Sequence, residues 1–423
     1  MSDFVIPLSA AEAADAERFG PKAANQAALG HAGLPIPGGY AIDAEAYRTQ
    51  LRSLGLEASA RAVFSTEEFA ARRHALDIKL GLLDQSIDAS LAPALLAAWR
   101  ELMGTKGTLG VVRSSALVED RFGSSFAGQF ESFLGLETED EFLTAVRSCW
   151  CALWSTRALR YMATHKLDPA DTAMGLALQP LINARASGGG LSRTAEGDML
   201  LSATWGLGSA IAQGEVVPDR YIVSRDGRVL DTTAGRKTHS VSCVHGSQSV
   251  ERNLTEEPCL DESQVLELAD LLLRSEDVIG GPAEIEWAMD EAGFKLVQAR
   301  PLHVEEPHIP DEVWEQRPRL RGHPAGIGWA TGRACVVNCE CELSRVGPGD
   351  VLVTRVAGPA LSEILPKVSG VVAELGGSTS HLASLARERG IPMVLGVLDA
   401  TNIIPEGSSV AVDGVAGIVR WMQ

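Results

Sequence analysis

The sequence predicts an α+β protein built from more than one domain, on three observations. The chain has 423 residues, beyond the size at which one hydrophobic core usually keeps growing. Short β-type runs are interleaved with helical stretches along most of its length. A charged, proline-rich stretch, VEEPHIPDEVWEQRPRLRGHP, then separates two regions of different texture. With 45% hydrophobic and 22% charged residues, the chain has the composition of a globular protein able to bury real cores.

Taken in order, residues 1–100 read as mostly helical and rich in Ala and Leu, interrupted by a turn at Leu34-Pro35-Ile36-Pro37-Gly38-Gly39. Residues 109–302 mix β-type runs (LGVVRSS, DMLLSATW, RYIVSRDGRVLD, KLVQARP) with helices such as 261–276. Together, residues 1–303 make a large first domain. Residues 304–324 read as a semi-stiff linker, since proline fixes φ and removes a backbone donor. Residues 325–423 alternate short strands (VLVTRV, GVVAEL, MVLGV, SVAVDG, GIVRW) with one good helix, which predicts a compact α/β domain.

The formal net charge of −18 repels polyanions and argues against a nucleic-acid partner. The first residues, MSDFVIPLSAAEAADAERFG, lack a basic start followed by an apolar core, and no apolar run reaches the ~18 to 20 residues that cross a bilayer. The expectation is a cytoplasmic protein away from membranes. Of seven cysteines, Cys335, Cys339 and Cys341 cluster in ACVVNCECEL. No paired CxxC accompanies them and nothing resembles a disulfide framework, so they read as thiols, with Cys339 and Cys341 alternating along a strand.

The segment GGSTSHLASLARERGIPMV (376–394) carries the most chemistry. Two glycines after a strand allow a tight turn. Ser378 or Thr379 is placed to cap the following helix, and Gly390 and Pro392 end it. His381 then falls in the first turn, where free N–H groups and the helix dipole favour negative charge and keep an imidazole neutral and nucleophilic. A phosphoryl group on that ring would find donors in the helix N-terminus and in the Thr379 and Ser380 hydroxyls. An isolated histidine at such a place would more often merely pack or cap.

This segment resembles the phosphohistidine segment of the phosphoenolpyruvate-utilising family, which includes phosphoenolpyruvate synthase, pyruvate phosphate dikinase and rifampicin phosphotransferase. His381 matches the histidine phosphorylated there. Leu382 departs from the alanine commoner at that position, which alters packing beside the ring. No GxxxxGK[ST] loop or GxGxxG fingerprint occurs. Instead FGPKAANQAALGHAGLPIPGGYAIDAEAY (19–47), VVRSSALVEDRFGSSFAGQFESFLGL (111–136), ATWGLGSAIAQGEVVPDRYIV (203–223) and AEIEWAMDEAGFKLVQARPLHV (283–304) are similar, in order, to the family's nucleotide-binding domain. The resemblance implies an ATP-grasp-like domain of two subdomains over 1–303, joined by the linker to a small swivelling phosphohistidine domain over 325–423. It implies that Lys22 and Arg113 hold ATP phosphates, that Gln179 contacts the nucleotide near its base, that Arg300 contacts phosphate, and that Glu286 and Gln298 ligate magnesium, or manganese in its place. Independently, Glu286 and Gln298 lie on two strand-like runs joined by a turn at Asp290–Gly293, and one carboxylate with one amide suits a hard cation that also takes phosphate oxygens. The bland alternative for Glu286 and Arg300 is a structural ion pair.

The expected activity is a dikinase-type phosphotransferase: ATP yields AMP, phosphate and phospho-His381, and the phosphoryl then passes to a small molecule. A linker of about 20 residues spans up to ~60 Å at ~3.1 Å per residue, ample for a swivel. The chain ends at Gln423 after the histidine domain and has no room for a large acceptor domain before it. Pyruvate and rifampicin are therefore not expected acceptors. Two alternatives stand: a phosphocarrier whose acceptor is held by a separate protein, and an ATP-binding regulator without transfer.

Overall fold

The computed structural model describes residues 4–104, 107–119, 130, 132–241, 247–249, 254–304, 312–355 and 358–422. The Gly/Ser-rich loop expected after Arg113 falls at 120–129 and lies outside the described residues, as does part of the expected linker, 305–311. Packing divides the chain into two units, Met1–Ile182 with Leu296–Gln298, and Asn183–Lys295 with Ala299–Gln423.

The first unit is a five-stranded sheet covered by helices. Its strands are β1 (Val5–Pro7), β2 (Tyr40–Ile42), β3 (Gly110–Ala116), β4 (Ser132–Leu136) and β5 (Met174–Pro180), in the order β1-β2-β5-β3-β4. The helices are α1 (Ala16–Phe19), α2 (Pro21–His31), α3 (Ala44–Ser53), α4 (Glu57–Ala62), α5 (Glu68–Asp84), α6 (Ala92–Leu102), α7 (Glu139–Ala152) and α8 (Thr156–Thr164). Proline at the first position of α2 gives up only an N–H that the helix leaves unpaired anyway. A capping box, Thr138 with Glu141, starts α7. One face of the sheet buries a core that includes Tyr47, Trp99, Phe142, Trp150 and Trp154; Phe19, Ala23 and Ala27 make a smaller one.

The second unit carries two larger sheets. The six-stranded sheet uses β6 (Ala186–Leu191), β7 (Met199–Trp205), β8 (Asp219–Val223) and β9 (Val229–Thr233), beside a short hairpin of β10 (His239–Val241) and β11 (Ser247–Ser249). It is completed by β12 (Ala283–Asp290) and β13 (Gly293–Pro301), in the order β13-β12-β6-β7-β8-β9. Helices α9 (Ser209–Ala212) and α10 (Glu262–Ile279) belong to it. Inside, the Asp219 carboxylate is wholly buried against Lys237 and accepts from the N–H groups of Gly235 and Cys259, both at 2.7 Å. A buried charge satisfied this completely fixes the loops around it.

The eight-stranded sheet follows α11 (Glu312–Glu315). Its strands are β14 (Arg319–Arg321), β15 (His323–Pro324), β16 (Trp329–Val337), β17 (Val351–Thr354), β18 (Gly370–Ala373), β19 (Met393–Leu395), β20 (Ser409–Asp413) and β21 (Ile418–Met422), in the order β14-β21-β20-β16-β17-β18-β19-β15. Residues 319–324, placed in the linker by composition, thus pair within this sheet. The β16-β17-β18-β19 run is parallel, with apolar clusters on both faces, as parallel strands require. Helices α12 (His381–Arg389) and α13 (Ala400–Ile403) complete the unit.

The expectation for the clustered cysteines is overturned. β16 ends at Val337, and Cys339 and Cys341 form a disulfide where a strand was expected. Beyond β16 the chain turns, with the Glu342 carboxylate accepting from the Asn338 N–H at 2.9 Å and the Glu342 N–H donating to the Cys339 carbonyl at 3.1 Å. Cys335 remains a buried thiol.

His323 makes the second unit acid-sensitive. Burial, helped by Arg220 nearby, pushes its pKa from 6.5 down to about 4, and its Nδ1 has no hydrogen-bond partner. The folded state therefore holds it neutral while the unfolded chain takes up a proton below 6.5. The stability this confers is full above that value and is lost as pH falls towards 4. Urea titrations at pH 7.5 and pH 5 should differ by about 2 kcal/mol from this residue alone, and His323→Gln should remove that part of the difference. An unchanged pH dependence in the variant would show that His323 is not the group responsible.

Candidate active site

In the first unit, Lys22 sits in the first turn of α2, one residue inside the helix. Its ammonium bonds Glu119 at 2.8 Å. Glu119 is completely buried, and its other oxygen accepts the Ala116 N–H at 2.8 Å. The carboxylate thus ties the lysine to the end of β3. Arg113, on the same strand, donates to the Val297 carbonyl at 2.7 Å and to Gln298 Oε1 at 3.3 Å. Gln179, on β5, donates to Gln26 Oε1 and to the Gly38 carbonyl, both at 3.3 Å, and Gln26 donates onward to the Leu296 carbonyl at 3.2 Å. Two of the residues singled out in the sequence, Arg113 and Gln298, are therefore in direct contact, and Gln179 is bound to the same stretch of β13 through Gln26.

In the second unit, β12 and β13 form the expected hairpin, carrying Glu286 and Arg300. The Arg300 Nη2 lies 3.0 Å from Glu284 Oε1. The other Glu284 oxygen is 2.8 Å from Arg387 Nη2 on α12. Burial raises the pKa of this carboxyl, but the two guanidinium groups beside it hold it below the usual carboxylate range.

His381 is the first residue of α12, as the spacing predicts, and its side chain is exposed. The cap is Ser380, one or two residues later than expected: its hydroxyl accepts the Ala383 N–H at 3.2 Å. Ser378 faces inward with its hydroxyl buried and unpartnered, so it does not cap. Thr379 lies 3.3 Å from Ser202 Oγ on β7. Its side chain packs on β6 at Gly189, where an added Cβ would come within 2.7 Å of Thr379 Oγ1. At Gly377 a Cβ would stand 2.6 Å from Pro218. The histidine loop and the sheet approach this closely only because glycine occupies these positions.

Among the described residues, no three His, Cys, Asp or Glu side chains gather as they would to hold a metal alone. Nor is any helix there long and apolar enough to cross a membrane.

Comparison with known proteins settles the kinship. The family profile described as "Pyruvate phosphate dikinase, AMP/ATP-binding domain" matches residues 16–319, and that described as "PEP-utilising enzyme, mobile domain" matches residues 346–417. The chain belongs to the phosphoenolpyruvate-utilising enzyme family. Its fold is accordingly α+β, with an ATP-grasp-like nucleotide-binding part followed by the family's mobile domain. Among its relatives, the probable phosphoenolpyruvate synthase of Methanothermobacter thermautotrophicus is 29% identical over 95% of this chain and 61% of its own length. The phosphoenolpyruvate synthase of Aeropyrum pernix is 31% identical over 95% of this chain and 56% of its own. That of Pseudomonas aeruginosa is 29% identical over 99% of this chain and 57% of its own. The chain thus spans a little over half the length of these relatives.

Against the family pattern, sequence reasoning overlooked Gln26, Glu119, Glu284, Ser384 and Arg387. Glu284 carried a readable signal, since it stands two residues before Glu286 on one strand and so on the same face. Removing Glu119 tests the first-unit cluster: Glu119→Ala leaves the Lys22 ammonium and the Ala116 N–H without their acceptor. Denaturation should show a loss of about 2 kcal/mol. A variant as stable as the parent would mean that this buried carboxylate holds nothing in place.

Proposed function

We propose that this protein carries out ATP-dependent, dikinase-type phosphoryl transfer through His381. An imidazole nitrogen of His381 ends bonded to the β-phosphoryl of ATP, the γ-phosphoryl is taken by water, and AMP and inorganic phosphate leave. The phosphoryl then passes to an acceptor. The observation that carries this reading is the position of His381 as the first residue of a capped nine-residue helix, within the part matched by the family's mobile domain. There the helix dipole and the N–H groups of the first turn favour a dianionic phosphoryl on the ring.

Lys22, Arg113 and Arg300 would offset charge on the triphosphate, and Gln179 would meet the nucleotide near its base. Glu286 and Gln298 would hold magnesium, or manganese in its place; one carboxylate and one amide oxygen, completed by phosphate oxygens, make a hard donor set that fits such an ion. When bound, the ion neutralises developing charge on the transferring phosphoryl. Residues 304–318 would act as the linker about which the histidine domain swings, within a cytoplasmic enzyme.

The acceptor proposed is a small molecule. A second reading, in which a separate protein holds the acceptor, is favoured by the exposure of the His381 side chain. The experiment is incubation with magnesium and ATP labelled at the β or the γ phosphate. Acid-labile β-label on the protein together with AMP is the expected result; γ-label with ADP would replace the reading by an ordinary kinase step, and no label with no turnover would favour an ATP-binding regulator. His381→Ala should lose all label while still binding ATP, and label on that variant would end the assignment of the carrier. Glu286→Ala should cut AMP formation roughly 100-fold at limiting magnesium. Normal turnover in that variant would remove Glu286 from the metal site.

A further inference from the structure

Glu284 and Arg387 form a contact that none of these roles requires. Their side chains are 6% and 10% exposed, so both charges are out of water. Burying such a pair brings little net stability compared with apolar residues of the same shape, because desolvation offsets the attraction. What a buried pair does supply is direction: the charges are satisfied in one arrangement and stranded in others. The surrounding bonds show what is directed. Arg387 Nη1 donates to the Ser378 carbonyl at 2.6 Å, reaching back along α12 to the loop that leads into His381. Arg387 Nη2 is also 3.3 Å from Ser384 Oγ, and that hydroxyl accepts in addition from Arg300. One carboxylate and one hydroxyl therefore bind a guanidinium from the histidine helix and a guanidinium from the strand expected to meet ATP phosphate.

Around this pair the loop rests on small groups: Thr379 on Gly189 and Ser202, Gly377 on Pro218, and the Gly376 N–H on the Val216 carbonyl at 3.0 Å. Two of these are hydrogen bonds between neutral groups and two are close steric contacts; none engages a full charge, as the ion pair does. The ion pair is what sets its register.

We propose that Glu284 and Arg387 are positioning residues that seat the His381 helix on the sheet carrying Arg300, in register for phosphoryl transfer from ATP. The proposal rests on the reading of His381 as the phosphoryl carrier. It assigns Arg387, a residue of the histidine domain, to the ATP half-reaction, and it gives Glu284 a role distinct from metal ligation by Glu286.

The test compares the full-length parent with Glu284→Gln, Arg387→Gln and the double variant in three measurements. The first is the single-turnover rate at which β-label reaches His381. The second is the affinity for a non-hydrolysable ATP analogue. The third is the distance between probes placed site-specifically at Asp226, in the turn between β8 and β9, and at Asn402, on α13, both exposed. The expected result is a rate lowered roughly 10- to 100-fold with analogue affinity unchanged within about 2-fold, as for a misplaced but intact reactant. The probe distance should broaden, and the double variant should be no worse than the more impaired single one. Arg387→Lys should recover part of the rate, and added methylguanidinium should restore part of the rate to Arg387→Ala. Unchanged rates and unchanged distances would overturn the proposal; so would a loss of analogue affinity that accounts for the whole fall in rate. If the parent places no label on His381 while the variants still shift the probe distance, the phosphoryl-carrier reading fails and the seat stands.

Discussion

A carboxylate without access to water cannot remain charged unless something beside it carries the opposite sign, and in the second unit that constraint falls on Glu284. It meets the requirement with two guanidinium groups from elements far apart in the sequence, Arg300 on β13 and Arg387 on α12. Removing either partner would leave charge stranded, so β12, β13 and the histidine helix are held in a common arrangement. The same logic recurs deeper in the unit at Asp219, which gathers Lys237 and two backbone N–H groups from separate loops. Few buried charges, each fully satisfied, thus do the specifying that apolar packing alone leaves loose.

The first unit follows the same rule on a smaller scale. Glu119 pins Lys22 to the end of β3, and Gln26 links Gln179 to the Leu296 carbonyl. The cations and amides expected to meet a nucleotide are therefore held by partners that keep them extended and oriented in the protein alone. Such prearrangement lowers the ordering cost of binding a polar ligand.

Much of this was legible in the sequence, for physical reasons that also mark the limit. Strands such as β3, β7, β17 and β20 show as runs of β-branched and apolar residues, and α12 shows through its flanking glycines and its exit at Gly390. Strand β6 did not show, because ASGGGL has neither alternation nor bulk. Its glycines are there for the neighbours that crowd them, with Ser202 and Trp287 at Gly188 and Thr379 at Gly189, and no propensity argument anticipates a neighbour. Arg387 went unread for a different reason. A cation late in a helix ordinarily complements the dipole and faces water; here the side chain turns back towards Ser378 and is buried. Glu284 stands on the same strand face as Glu286, but its two arginine partners come from β13 and α12, and only the fold brings them to it. The Cys339–Cys341 bond falls where the chain turns after β16, which alternation alone does not reveal.

The glycine strand has one more consequence. Where the histidine loop rests on β6 and β7, its contacts include glycine backbone, the Ser202 and Thr379 side chains and the ion pair, with Pro218 and Ile211 facing Gly377. Water can solvate the polar part of that surface. When the loop lifts, water replaces the hydrogen bonds and solvates the ion pair, so much of the energy regained on return comes from a handful of polar bonds. A surface of this kind suits repeated parting and rejoining far better than an oily one of equal area, which would either hold fast or, once opened, find the wrong partner.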